Sequence, residues 1–229
     1  MADYIDVLAI VRVRRLLDLY FPLCVAEFER LLQYTGAQVM GSFPLFCLAR
    51  RWPTWDMPGD LDIFLCPRIT SLMHRDLRVL QNFFQISGYV CVHGPQYDPF
   101  LLSDDGFIFP SMHVYTFTKM AGPLELRVQI VFHTGLQCRP DWHFRLMHAF
   151  DLSCCCVAYD GLKFQVAVDN MNPTTQPARI RRLNPSTVQR IDKYHGRGFV
   201  FVIPYAALLG TDPSVRELIS LCSLLLTWH

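Results

Sequence analysis

Residues 37–65, AQVMGSFPLFCLARRWPTWDMPGDLDIFL, decide how this chain is read. They open as a short apolar strand that runs into Gly41-Ser42, and PLFCLAR then suits a helix with Pro44 in its first turn, where the missing N–H costs nothing. RWPTWDMPG is a proline-punctuated loop, and DLDIFL is a second strand. Successive strand side chains point to opposite faces, so Asp60 and Asp62 share one face while Leu61 and Ile63 take the other. Two carboxylates side by side push at least one pKa upward unless a cation neutralises both, and oxygen ligands of this kind suit Mg²⁺ or Mn²⁺. Gly41 lets phosphate oxygens approach the backbone, the Ser42 hydroxyl and the following N–H groups can donate to them, and a helix starting near Pro44 adds its positive end. The bland alternatives are a polar strand end whose acids pair with Arg50 and Arg51, and a Ser42 that bonds its own turn.

Working outward, helical spacing from Tyr4 to Leu32 is interrupted at Pro22 and closed by Gly36, which predicts two helices. After DLDIFL, the run ITSLMHRDLRVLQNFFQISGY is an amphipathic helix stopped by Gly88. SMHVYTFTKM and LELRVQIVF flank AGP as paired strands, and RPDWHFRLMHAF returns as a helix. DLSCCCVAYDGLKFQVAV carries Asp160-Gly161 between two β-rich runs, a strong hairpin signal. NPSTVQRIDKYHGRG is a short helix with Asn184 as cap, Pro185 at its first position and Gly196 at its end. A strand FVFVIP and a final helix from about Pro213 to Trp228 close the pattern. The fold expected is α/β (α+β), a mixed sheet covered by helices with a C-terminal helical segment. It forms a single domain over 1–229, with a core at about 37–170 and an elaboration at about 171–229.

Hydrophobic residues make up 52% of the chain and charged residues 18%, which excludes disorder and leaves apolar surface for a protein partner. Formal net charge is +1, so attraction for phosphate or RNA must come from local clustering, as at Arg179, Arg181, Arg182, Arg190, Lys193 and Arg197. Arg190 and Lys193 are three apart and share a helical face, and Tyr194 and His195 are candidates to stack on a base. The nine cysteines lack the paired spacing of a secreted scaffold, so a reducing, cytoplasmic compartment is expected. Cys154, Cys155 and Cys156, read as strand residues, alternate faces and cannot converge on one metal; they read as buried packing. His143, His148 and Cys138 have no zinc spacing. The charged N-terminal stretch is wrong for a signal peptide, and LISLCSLLLTW is too short to span a bilayer, so no membrane partner is expected.

Gly41-Ser42 after a first strand, a helix, and Asp60-x-Asp62 on a second strand resemble the polymerase-beta-type nucleotidyltransferase superfamily over about Ala37 to Asp151. FDLSCCCVAYDG and RIDKYHGRGF are similar to segments of poorly characterised nucleotidyltransferase-like proteins, including viral ones. The resemblance implies metal-dependent transfer of a nucleoside monophosphate from a nucleoside triphosphate to an acceptor hydroxyl, on RNA or protein. Asp60 and Asp62 would hold Mg²⁺ or Mn²⁺, and Gly41, Ser42, Arg190 and Lys193 would grip the nucleotide. The loop between Ser42 and Asp60 is longer than usual for the superfamily, and its third carboxylate is expected on LRVQIVF, where Gln129 stands instead. Asp151 is the favoured replacement as catalytic and metal-binding residue, with a purely local cap as its bland alternative; Glu125 shares the face of Gln129 but lies about 13 Å along the strand. Gln129 also supports the rival expectation, a catalytically silent module that binds nucleotide, RNA or a protein.

Overall fold

Pro22 ends one helical stripe and Gly36 the next. In the computed structural model α1 (Val7–Tyr20) and α2 (Val25–Thr35) flank Pro22, and Gly36 closes α2 at φ 70, a left-handed position that glycine adopts without strain. Residues 2–4, 7–48, 58–66, 73–97, 112–133, 142–166, 178–181, 185–203 and 226–228 are described. The other helices are α3 (Ser42–Leu48), α4 (Met73–Ile86), α5 (Trp142–His148) and α6 (Pro185–His195). The strands are β1 (Ala2–Tyr4), β2 (Gln38–Met40), β3 (Asp60–Leu65), β4 (Val90–Tyr97), β5 (Met112–Ala121), β6 (Leu124–His133), β7 (Val157–Tyr159), β8 (Phe164–Val166), β9 (Ala178–Arg179), β10 (Phe201–Ile203) and β11 (Leu226–Trp228).

The main sheet has eight strands in the order β1-β8-β7-β2-β3-β6-β5-β4. It is mixed: β3 and β6 run parallel, while the neighbouring pairs are antiparallel. The expected α+β fold with a mixed sheet is thus present. Its two faces differ because the strands alternate. Leu61, Ile63 and Leu65 of β3, with Val128, Ile130 and Phe132 of β6, join Val13 and Leu17 of α1, Phe28 and Leu32 of α2 and Leu80 and Phe84 of α4 in the larger core. On the opposite face Met40, Phe64, Val131 and Ala158 pack under Trp142, Leu146 and Met147 of α5.

That second face changes character along β3. Phe64 is paired with Val131 beneath α5, whereas two and four residues earlier Asp62 is paired with Gln129 and Asp60 with Arg127. On β5 the same row continues through Thr116 opposite Gln129 and Thr118 opposite Arg127. The start of β3 therefore opens a polar strip beside the apolar patch under α5.

A smaller parallel sheet in the order β11-β10-β9 lies in the C-terminal region. Its last strand corrects the expected helix to Trp228: Leu226–Trp228 pairs with Phe201–Ile203, and the rest of that helix falls at 204–225, outside the described residues. The strands β1, β4, β9 and β11 are additions to the expected pattern. Much of the proline-rich loop, at 51–57, also lies outside the described residues, as do Asn184, Arg182 and Cys138. Among the described residues no helix is long and apolar enough to cross a membrane. Ile86, Val90, Met120 and Leu124 put part of the apolar excess on the surface.

The hairpin at Asp160-Gly161 forms between β7 and β8, with Asp160 Oδ1 accepting from the N–H groups of Leu162 and Lys163 at 2.9 Å each. Gly161 is required twice over. Its φ is +93, and a Cβ there would sit 2.5 Å from the Glu29 carbonyl oxygen. Glu29 is itself buried and accepts from the Tyr159 hydroxyl at 2.6 Å and from Arg14 at 3.0 Å, so this contact fastens α1 and α2 to the sheet. Gly161→Ala is expected to lower unfolding stability by about 2–4 kcal/mol, a clash with backbone adding to a strained dihedral. Urea unfolding followed by circular dichroism measures it, and a change below about 0.5 kcal/mol would remove the hairpin–helix contact from the forces that hold the fold.

Candidate functional site

β3 presents Asp60 and Asp62 because its alternate residues Leu61 and Ile63 are fully buried in the larger core, which fixes its register. β2 leads into Gly41, whose N–H donates to the Val157 carbonyl at 3.2 Å and whose own carbonyl accepts from Leu45 N–H at 3.3 Å. Gly41 has φ +86, and a Cβ built on it would point to Asp62 Oδ2 at 3.9 Å. The space is ordinary; the dihedral is what demands glycine. Ser42 follows as the first residue of α3, two residues before the expected start at Pro44, and stays partly exposed.

Asp60 lies 3.6 Å from Arg127 Nε across the parallel pair, with both side chains nearly half exposed, a weak surface interaction. Asp62 is more confined. Burial first, then the charge of Asp60, pushes its carboxyl up to about 7, against the opposing pull of Arg190 and Lys193. The charges of α6 therefore act on the carboxylates of β3 although 128 residues separate Asp62 from Arg190 in the chain. Gly41 and Asp62 are neighbours, Asp60 stands two residues earlier on the same strand face, and the charges of Arg190 and Lys193 reach the Asp62 carboxyl.

Asp151 is placed differently. Its Oδ1 accepts from Arg190 Nη1 at 2.6 Å, and its side chain is 9% exposed while that of Arg190 is 40% exposed. Among the described residues no three His, Cys, Asp or Glu side chains form a group able to hold a metal ion. Asp151 thus forms no such group with Asp60 and Asp62; it anchors Arg190, whose charge acts on Asp62. Glu125 lies exposed near the β5–β6 turn, opposite Met120. Gln129 is directly beside Asp62.

Three further expectations change. Tyr194 is buried at 3% exposure and packs edge-on against Phe199 at 5.8 Å, so it has no face for a base; Arg197 covers its ring at 5.3 Å. Arg181 reaches back to the His148 carbonyl at 3.2 Å, which ties part of the basic cluster into the fold. The cysteine run is not a strand: Ser153–Cys155 is a 3-10 turn, and β7 starts only at Val157. Alternation therefore does not separate Cys154 from Cys155, whose sulfurs are 4.0 Å apart, whereas Cys156 turns away and donates to the Met147 carbonyl at 3.0 Å.

Tyr20 is the site residue that sequence reasoning missed. Its hydroxyl donates to the Pro58 carbonyl at 3.1 Å, two residues before Asp60, and its ring meets Phe43, the residue after Ser42, edge-on at 5.7 Å. It braces both halves of the site from within the core. As the last apolar position of α1 it carries no polar signal of that task.

Among the described residues the donors offered here are two carboxylates, with no third acid, cysteine or histidine grouped beside them. Mg²⁺ commonly takes one or two protein carboxylates and completes its shell with water and ligand phosphates, which two carboxylates on one strand face satisfy. The raised carboxyl of Asp62 marks charge that this strand end does not itself neutralise. Comparison of the chain with protein-family models and with curated proteins gives no match.

Metal-free, the protein should carry a pH-dependent cost at Asp62. The unfolded carboxyl titrates near about 4 and the folded one near about 7, so the cost is absent below the first value, grows between them and is complete above the second. Asp62→Asn is expected to stabilise the metal-free protein at pH 8 by roughly 2 to 4 kcal/mol, with the gain vanishing at about pH 4. Denaturant unfolding across that range tests it; equal stabilisation at both ends would remove the charge effect.

Proposed function

We propose that the chain is a nucleotidyltransferase-like domain that binds a nucleoside triphosphate with Mg²⁺ or Mn²⁺ and transfers its nucleoside monophosphate to an acceptor hydroxyl. The observation that carries this is the convergence on Asp62. Gly41 faces its oxygen, Asp60 raises its carboxyl, and Arg190 and Lys193 act on it from α6. Such a site is negative where a metal binds and positive where phosphates extend beyond it.

Each residue then has a task. Gly41 supplies the left-handed turn that sets Ser42 at the start of α3, and the partly exposed Ser42 hydroxyl donates to the phosphate oxygens. Arg190 and Lys193 offset the charge of the triphosphate tail, with Arg190 held in place by its 2.6 Å bond to Asp151. Asp60 and Asp62 hold the metal, which when bound stabilises charge on the phosphoryl oxygens and favours ionisation of the acceptor hydroxyl. Binding requires Asp62 to give up its proton, so metal affinity rises as pH passes through about 7. Asp151 serves the nucleotide through Arg190.

One observation favours a second reading. Gln129 occupies the position beside Asp62 where the resemblance calls for a third carboxylate, and an amide cannot take the acceptor's proton. A module that binds metal–nucleotide without turnover, and presents it to an RNA or protein partner, uses the same residues.

Calorimetry with the four common triphosphates and Mg²⁺, beside radiolabelled nucleotide incorporation, tests both. Micromolar binding is expected, reduced at least tenfold by Asp62→Asn, and incorporation is expected to fall more than 100-fold in Asp60→Asn and Asp62→Asn. Asp151→Asn is expected to weaken the triphosphate about tenfold while leaving Mn²⁺ affinity unchanged; equal loss of Mn²⁺ binding would return Asp151 to the metal. Binding without incorporation would select the silent module, and absence of binding to all four would overturn both readings.

A further inference from the structure

Directly behind the cationic helix sits a thiol pair to which the nucleotide chemistry gives no role. Cys154 and Cys155 are 0–1% exposed and their sulfurs are 4.0 Å apart within the 3-10 turn. Arg190 Nη2 donates to Cys155 Sγ at 3.5 Å while Nη1 of the same guanidinium holds Asp151. The Tyr194 hydroxyl bonds to Cys155 as well. One face of α6 is therefore docked on this sulfur.

We propose that Cys154 and Cys155 are a redox modification site: hydrogen peroxide oxidises them to a disulfide between adjacent residues, which undocks Arg190 and loosens α6. The effect on nucleotide affinity rests on the function proposed above; the disulfide itself does not.

The chemistry balances with hydrogen peroxide as the named oxidant. The Cys155 thiolate attacks one peroxide oxygen, the O–O bond breaks, and a sulfenic acid forms as the departing oxygen leaves as hydroxide and takes up a proton to become water. Cys154 sulfur then attacks the sulfenic sulfur, the S–OH bond breaks, and the hydroxyl leaves with the Cys154 proton as a second water. Two thiols lose two electrons and the two peroxide oxygens gain them. Cys155 is the attacking group because Arg190 Nη2 donates to its sulfur at 3.5 Å and the Tyr194 hydroxyl bonds to it as well, both favouring its thiolate, while burial holds Cys154 above the usual thiol range. A peroxide is little larger than water, and the guanidinium over Cys155 belongs to a side chain 40% exposed.

Reversibility follows from the covalent geometry. Adjacent Cα atoms are about 3.8 Å apart, below the roughly 4.4 Å at which ordinary disulfides begin, so the ring is strained and easily reduced. Closing it must also redraw the turn, whose Ser153 hydroxyl accepts from Arg179 N–H at 2.7 Å and whose Cys155 is the acceptor for Arg190. A disulfide sulfur is a poor substitute for a thiolate as partner to a guanidinium.

The test uses the full chain, reduced and then treated with hydrogen peroxide. Peptide mapping after alkylation should find the Cys154–Cys156 peptide carrying one alkyl group, on Cys156, in place of three, with Cys154 and Cys155 together lighter by about 2 Da and restored by dithiothreitol. Cys154→Ser should stop at a sulfenic acid on Cys155 that dimedone traps, and Cys155→Ser should not form one on Cys154. Hydrogen exchange in α6 should rise at least severalfold on oxidation, a readout independent of nucleotide, and triphosphate affinity should fall about tenfold. Oxidation confined to the exposed Cys91 would overturn the modification site, as would an oxidised pair with unchanged exchange in α6 overturn the switch. Reduced protein that binds no triphosphate yet shows the disulfide and the exchange change would overturn the nucleotide function and leave the redox device standing.

Discussion

The site is built around a carboxylate pair that the sheet holds at the mouth of its own core. Asp62 is paired with Gln129 on one side and faces Gly41 on the other, and burial together with Asp60 lifts its carboxyl to about 7. An apolar side chain there would relieve that cost. The chain instead surrounds the acids with selective relief: Arg127 beside Asp60, and Arg190 and Lys193 across from Asp62. A site that is electrostatically incomplete by itself is suited to a ligand that brings both a cation and phosphates.

Positioning of that pair is the work of residues that touch no ligand. Leu61 and Ile63 lock the register of β3 into the larger core, and a one-residue slip would turn both acids inward. Tyr20 holds the backbone just before Asp60 and the helix just after Ser42. Asp151 fixes Arg190 from a buried position between α5 and β7. The position of Arg190 thus depends on the Asp151–Cys155–Tyr194 cluster beneath α6.

Much of this was legible in the sequence because it rests on local rules. Period-two alternation placed Asp60 and Asp62 on one face, Gly36 and Gly88 ended the helices they were expected to end, and Asp160-Gly161 closed the hairpin. LRVQIVF, the strand on which a third carboxylate was sought, does lie beside β3 and sets Gln129 next to Asp62. What stayed hidden depends on distant partners. The three-residue strands β1 and β11 exist only through their pairing with β8 and β10 and carry no pattern of their own. Asp151 reads as a third metal ligand, or as a local cap, until Arg190, 39 residues away, is seen beside it. The cysteine run reads as strand because it borders one; a single 3-10 turn suffices to bring Cys154 and Cys155 together.

Paramagnetic broadening of backbone amide signals by Mn²⁺, titrated with a nucleoside triphosphate at pH 8, measures the central claim most directly. Broadening should centre on Gly41, Ser42 and residues 60–62, extend to Gln129 and to the Arg190 side of α6, and disappear in Asp62→Asn. Broadening centred elsewhere, or unchanged in Asp62→Asn, would contradict a metal–nucleotide site at the start of β3.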